Sequence, residues 1–354
     1  MSADFLKRNE GRDEPILDPD MPIIDTHHHL FLRPGLRYLL DDYLADAAAG
    51  HRVVATVYVE TQAMARRDGP EMLRPLGEIE FALGAGAMCR SGTYGATRVA
   101  EAIIGYVDMR AGDAVEAYLD TASAIADDRF RGIRQIAMAH PNPQALRMLA
   151  HRPPPNLLAD PGFLAAFRHL GRRGLTFEAA ILHEQLPEVA ALAAAHPDAN
   201  IVINHLGLAF AMNATATERA EIFRTWRSNL AAASHHPNVF CKIGGFGTLY
   251  WGFGFDRRAD PVGSAELAKA WRPYVESAIE LFGAGRCMTA SNFPNDGRSC
   301  GFVPLWNALK LTTRGCSDDE RVAIFSGTAA RVYRLDLPTL LGALGTTRGN
   351  RSDT

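Results

Sequence analysis

From Pro22 onward, short runs of β-branched and apolar residues alternate with longer stretches whose apolar positions recur every three or four residues. That alternation predicts βα units and a parallel sheet. Eight runs read as strands: PIIDTHHH from Pro22, VVATVYVET from Val53, AIIGYVDM from Ala102, RGIRQIAM from Arg131, LTFEAAIL from Leu175, NIVINHLG from Asn200, VFCKIGG from Val239 and RCMTASNFP from Arg286. Between them lie helical stretches such as DAVEAYLDTASAIA from Asp113, LPEVAALAAAH from Leu186 and SAELAKAWRPYVESAIELFG from Ser264. SDDERVAIFSGTAARVYRL from Ser317 is expected to pack outside after the eighth strand. Eight strands with right-handed crossovers predict an α/β fold, a (β/α)8 TIM barrel, as one domain over 21–340. Residues 1–20 are polar and without periodicity and read as a flexible arm or a strap; 341–354 read as a disordered tail. Two connections are long, Gln62 to Glu101 and Gly244 to Gly263. Both follow the C-terminal end of a strand, where barrels build active sites, so they are candidate lids or walls. The first also has room for the second barrel helix.

Composition narrows the partners. Of 354 residues, 47% are hydrophobic and 22% charged, and the formal net charge is -3. Such a chain has no basic field to attract nucleic acid or anionic lipid, which favours a small-molecule partner and leaves self-association open. The N-terminal segment has no apolar signal core and the alanine-rich stretches are too short to span a bilayer, so a cytoplasmic enzyme is expected. Cys89, Cys241, Cys287, Cys300 and Cys316 are scattered without a C-x-x-C pair, suggesting neither a disulfide framework nor a cysteine zinc site. Gly244, Gly245 and Gly247 precede no strong helix start, which argues against a phosphate cradle.

The strongest chemical signal is Asp25-Thr26-His27-His28-His29 at the end of the first strand. Strand side chains alternate faces, so His27 and His29 point the same way, roughly 6.6 Å apart along the strand, while His28 faces the other way. A satisfied polar strand end is the bland alternative. Glu178 lies in the apolar run LTFEAAIL, where a buried carboxylate needs a metal, an arginine or a histidine. Arg134 in RGIRQI and Lys242 in FCKIGG are cations among apolar residues. Each could bind a substrate carboxylate or polarise a carbonyl, or pair with Glu60 or Glu178. The run Tyr250-Trp251-Gly252-Phe253-Gly254-Phe255 reads as a sticky lid suited to a planar or apolar group, with Trp251 as its candidate substrate contact, or as a loop packed on the rim.

With these residues in place the chain resembles the amidohydrolase-related proteins, which include sugar-acid lactonases, dicarboxylate-pyrone lactonases and, more distantly, metal-dependent decarboxylases. The resemblance runs from IIDTHHHL through RGIRQ, QLPEVAALAAAHPDANIVINHLG and CMTASNFPND to GTAARVYRL. It implies that His205 in VINHLG is a metal ligand or polarises a substrate carbonyl, and that His183 contacts substrate from the loop after the fifth strand. The wider superfamily commonly has aspartate where this chain has Asn292. Asparagine cannot act as a base near neutral pH and ligates a cation less strongly. Asp296 is the nearest carboxylate that could stand in.

The leading expectation is a hydrolase that opens a lactone or similar cyclic ester of a small, carboxylated or aromatic substrate. His27, His29 and His205 would form the electrophilic centre, Arg134 and Lys242 would hold substrate anions, and Asp296 or Glu178 would manage the proton, with Asn292 a substrate contact. His27, His29, Glu178 and His205 could hold one zinc or manganese ion; metal-free catalysis stands equally, since the eighth-strand carboxylate is lost. A non-oxidative decarboxylase of an aromatic acid and a catalytically silent ligand-binding barrel are the alternatives.

Overall fold

The computed structural model describes residues 6–126, 128–147, 149 and 152–342. Its strands in chain order are β1 (Ile23–His28), β2 (Phe31–Arg33), β3 (Leu36–Tyr38), β4 (Val53–Val59), β5 (Arg98–Gly105), β6 (Phe130–Ile136), β7 (Thr176–Ala180), β8 (Ile201–Ile203), β9 (Val239–Ile243) and β10 (Cys287–Thr289). Eight of them pair in parallel in the order β1-β4-β5-β6-β7-β8-β9-β10. The ring closes between its first and last strands through a bridge of His28 with Phe293, Asn292 N–H to His27 O at 2.7 Å and His29 N–H to Phe293 O at 2.8 Å. The expected (β/α)8 barrel is therefore present. Its closing seam is made by the residues singled out for chemistry.

Each predicted strand is there, although β5 begins four residues earlier than AIIGYVDM suggests. Between β1 and β4 the sequence reading left a gap. It holds a hairpin, β2 with β3, turned at Pro34 and Gly35, and the helix α1 (Leu40–Ala47). Proline presets φ for the first turn position and Gly35 takes φ 81 at the second, a type II arrangement. The long segment after β4 contains α2 (Leu76–Arg90), the second barrel helix.

Two apolar clusters hold the barrel. Ile24, Val57, Ala102, Ile104, Val202 and Met288 meet inside the ring, and Tyr333 and Val332 of the C-terminal stretch pack with them. The larger cluster lies between the strands and the surrounding helices, including α7 (Ser264–Phe282) and α8 (Phe302–Thr312). The N-terminal segment straps the barrel: Lys7 N–H donates to Gly297 O, Arg8 pairs with Asp42 and Asp46, and Lys310 Nζ reaches the carbonyls of Leu17 and Asp18 at 2.7 and 2.9 Å. Of the predicted tail, 343–354 lie outside the described residues. Among the described residues no helix is long and apolar enough to cross a membrane.

Candidate active site

Strict alternation from Ile24, which faces the barrel interior, would turn His28 inward. A register shift between Asp25 and His28 prevents this, because three steps along β1 match two along β4. His28 consequently faces α1, its ring 4.3 Å from that of Tyr43 and its Nε2 2.8 Å from Thr56 Oγ1. His27 and His29 turn inward together, their Nε2 atoms 3.2 Å apart. Asp25 braces the shift, accepting hydrogen bonds from Ser291 N–H and Oγ and from Tyr43 OH.

His205 arrives from the end of β8 at φ 52, a left-handed conformation, and its ring centre lies 4.4 Å from that of His27. A Cβ on Gly245, itself at φ +73, would lie 2.3 Å from His205 Cγ, so the glycine leaves room for the imidazole. Burial pushes the pKa of all three histidines down, with the charge of Arg134 adding to it in each and that of Lys242 at His27 and His205; His205 falls to about 3. They are neutral at ordinary pH. The three imidazoles therefore carry no charge of their own, and the cations beside them are Arg134 and Lys242.

Arg134 on β6 donates Nε–H to Glu60 Oε1 at 2.6 Å and Nη2–H to Glu60 O at 2.5 Å, and its Nη1 lies 3.1 Å from His27 Nε2. Lys242 and Glu178 were expected to reach substrate and metal respectively. They instead answer each other: Lys242 Nζ lies 2.7 Å from Glu178 Oε2, both fully buried, and Glu178 also accepts from Tyr333 OH and Asn204 Nδ2. The apolar barrel interior enforces this, since either charge left alone there would be costly.

Asn292 follows β10 at φ 52 and donates Nδ2–H to Asp296 Oδ1 at 2.7 Å, while its buried Oδ1 has no partner among the described residues. Asp296 is buried behind it, and that burial raises its carboxyl pKa to about 7.

Above this floor opens a cavity of about 490 Å³. His29, His205, Arg134, Glu60 and Asn292 line it; Asp296, Lys242, Glu178 and His27 sit beneath or behind the lining. Two expectations fail here. Trp251 is wholly buried, its Nε1–H bound to Gly245 O at 2.9 Å and its ring packed on Phe246 and Phe253, so it supports the loop and its neighbours Leu249 and Tyr250 face the cavity. His183 is buried outside the lining, its Nδ1 3.0 Å from Glu184 and accepting from Phe210 N–H. Tyr250, part of the run read as a lid, does line the cavity, and sequence reasoning missed Arg33, Arg152 and Arg298, which line it too. Their one signal was position in a segment that follows the C-terminal end of a barrel strand.

The donor set can be tested against a metal ion. Two imidazole Nε2 atoms 3.2 Å apart have the spacing that one ion about 2.0–2.1 Å from each would span. His29 Nδ1 also lies 2.8 Å from Val59 O, the outer contact that orients a ligating histidine. The rest of the set does not fit. Glu178 is taken by Lys242, the strand-end carboxylate is Asn292, and the Arg134 guanidinium stands against His27. Among the described residues no three His, Cys, Asp or Glu side chains are grouped to hold an ion.

The Amidohydrolase family profile matches residues 24–335, nearly the whole barrel. The chain belongs to the amidohydrolase family, and with it to the hydrolases. It is 30% identical over 89% of its length to the uncharacterized protein y4mH of Sinorhizobium fredii, covering 99% of that protein. It is 30% identical over 69% of its length to an L-fucono-1,5-lactonase of Burkholderia ambifaria, covering 73% of it. A zinc-bound amidohydrolase of Burkholderia multivorans superposes with a TM-score of 0.67 at 23% identity, covering 88% of this chain and 99% of that one, a likeness of fold.

Proposed function

We propose that the protein hydrolyses a lactone or closely similar cyclic ester without a metal ion. The observation that carries this reading is the pairing, across one cavity, of a buried acceptor without a partner among the described residues, Asn292 Oδ1, with a fixed cation, Arg134. The acceptor suits one O–H of a water molecule; the guanidinium suits the carbonyl oxygen of an ester, where negative charge develops on attack. His205, neutral and lining the same cavity, takes the second proton of that water. The new C–O bond forms at the carbonyl, the ring C–O bond breaks, and His205 returns its proton to the departing alkoxide. Water is consumed and a hydroxy acid released. Asp296 does not touch substrate; it holds the Asn292 amide so that Oδ1 turns to the water.

The relatedness to an L-fucono-1,5-lactonase supports a sugar-acid lactone as the starting point. Decarboxylation of an aromatic acid would require a formed metal site to hold the carboxylate and ring hydroxyl, which this donor set does not provide. The test is acid release from a panel of 1,4- and 1,5-lactones, L-fucono-1,5-lactone first, using chelator-treated protein. Turnover at least tenfold weaker in both Asn292→Ala and His205→Ala is expected. A protein that opens no lactone, or opens one only after zinc or manganese is restored, overturns the proposal.

A further inference from the structure

The cavity is far more cationic than the chain that builds it. Its lining carries Arg33, Arg110, Arg134, Arg152 and Arg298, against Glu60 as the one carboxylate among the described lining residues. The whole chain has a net charge of -3, so this excess is local. Two of the five are answered by acids, Arg134 by Glu60 and Arg110 by Asp108 at 2.6 Å each. Arg33 and Arg152 have no carboxylate at ion-pair distance among the described residues.

Arg33 is the better defined of the two. It ends β2, the strand that leaves the histidine pair, and its guanidinium lies over the Phe31 ring at 4.5 Å. Stacking fixes the plane of the group and leaves its N–H edge for a ligand. Arg298, on the loop after β10, borders the same cavity; after burial itself, the charge of Arg33 is the main influence that lowers its pKa, and Asp256 opposes it. Two guanidiniums at one mouth repel, and an oxyanion held by the Arg33 fork relieves that cost.

We propose that Arg33 forms an oxyanion subsite at the cavity mouth, with the positive charge of Arg298 on the same cavity lining adding to the field there, so that the preferred substrate is a lactone bearing a carboxylate or phosphate on an arm that reaches the rim. This deepens the lactone-hydrolase reading and rests on it. Arg134 serves the reacting carbonyl at the floor; Arg33 serves the far end.

Two matched pairs of lactones separate the chemistries: D-glucono-1,4-lactone with D-glucaro-1,4-lactone, which differ by a carboxylate, and D-glucono-1,5-lactone with its 6-phosphate. For at least one pair the anionic member is expected to have a KM about tenfold lower than the neutral one, a preference that fades as salt rises. Arg33→Ala should raise KM for the anion about ten times more than for the neutral lactone, and Arg33→Lys, which keeps the charge without the fork, should recover part of the difference. Equal KM within both pairs, or an equal change for both members in Arg33→Ala, overturns the subsite. Calorimetric titration with citrate and with inorganic phosphate at low ionic strength keeps the two readings apart. Anion binding that weakens in Arg33→Ala upholds the subsite even if no lactone is opened, and no binding of either anion to the folded wild type refutes it.

Discussion

The floor and the mouth of this barrel treat charge in opposite ways. On the floor Lys242 faces Glu178, Arg134 faces Glu60, and Asp25 is met by Ser291 and Tyr43, each within 2.9 Å. At the mouth Arg33 and Arg152 stand without an acid among the described residues. The difference follows from solvent. A charge buried between strands cannot persist without a partner, whereas a guanidinium at a wet opening is hydrated and can be left for a ligand. Balanced floor charges therefore hold shape and set the field, while Asn292 Oδ1 and the rim guanidiniums keep hydrogen-bonding capacity on the cavity side for a ligand.

The strongest way to break this contrast is to unbalance the floor. Lys242→Met leaves Glu178 buried without its cation and should cost about 3–5 kcal/mol in chemical denaturation, with Lys242→Met/Glu178→Gln recovering much of it. A loss under 1 kcal/mol in the single variant would show the pair to be dispensable. Next, Asn292→Ala removes the acceptor but no charge, so kcat should fall about 10²-fold with the thermal midpoint nearly kept. A fall in stability with unchanged kcat would make Asn292 a structural residue. Gly245→Ala places a methyl group against the His205 ring in a backbone conformation that alanine resists. It should cost about 1–3 kcal/mol and at least tenfold in kcat.

Asp296 sharpens the comparison through pH. Its folded pKa of about 7 lies above the ordinary 3.8, so the native state binds the proton more tightly than the unfolded chain. Its contribution to stability is complete below pH 4 and is lost as pH rises through 7. Asp296→Asn should flatten the stability profile across that window, an effect of a few kcal/mol at most; an unchanged profile would mean the carboxyl is ionised in the folded protein. The smallest expected effect is that of a chelator. Turnover should stay within about twofold, and a loss that added zinc reverses would point to an ion between His27 and His29.

Much of the architecture was legible because hydrophobic period is a local property. Val53–Val59, Phe130–Ile136 and Val239–Ile243 are dense in β-branched and apolar residues, and each is a barrel strand. The hairpin at Phe31–Tyr38 was overlooked because three-residue strands are too short to show a period, although Pro34-Gly35 marked its turn. At the site, His29 and Arg134 were found from residue type within their strands, and His205 and Asn292 from the family resemblance, and all four line the cavity. Glu178 was read toward a metal or a proton and Lys242 and Trp251 toward the substrate, with an ion pair and a packed loop as the alternatives, and it is the alternatives that the structure shows. Residue type reports that a buried charge or indole must be satisfied and is silent on whether protein or ligand satisfies it.

What the sequence determined by itself is the run of eight strands and the in-phase placement of His27 and His29, since both depend on composition and spacing along a short stretch, and the family, through motifs kept in order along nearly the whole chain. What only the tertiary structure decided is how those histidines reach the barrel interior, by one extra residue in β1 against β4, and which charges are already spent. Both depend on neighbours far apart in the chain: Tyr333 and Glu178 are 155 residues apart, Asp25 and Ser291 266 apart. Local pattern carries no record of such pairings, because the distance between two side chains in a closed barrel is fixed by the ring and not by their separation in sequence.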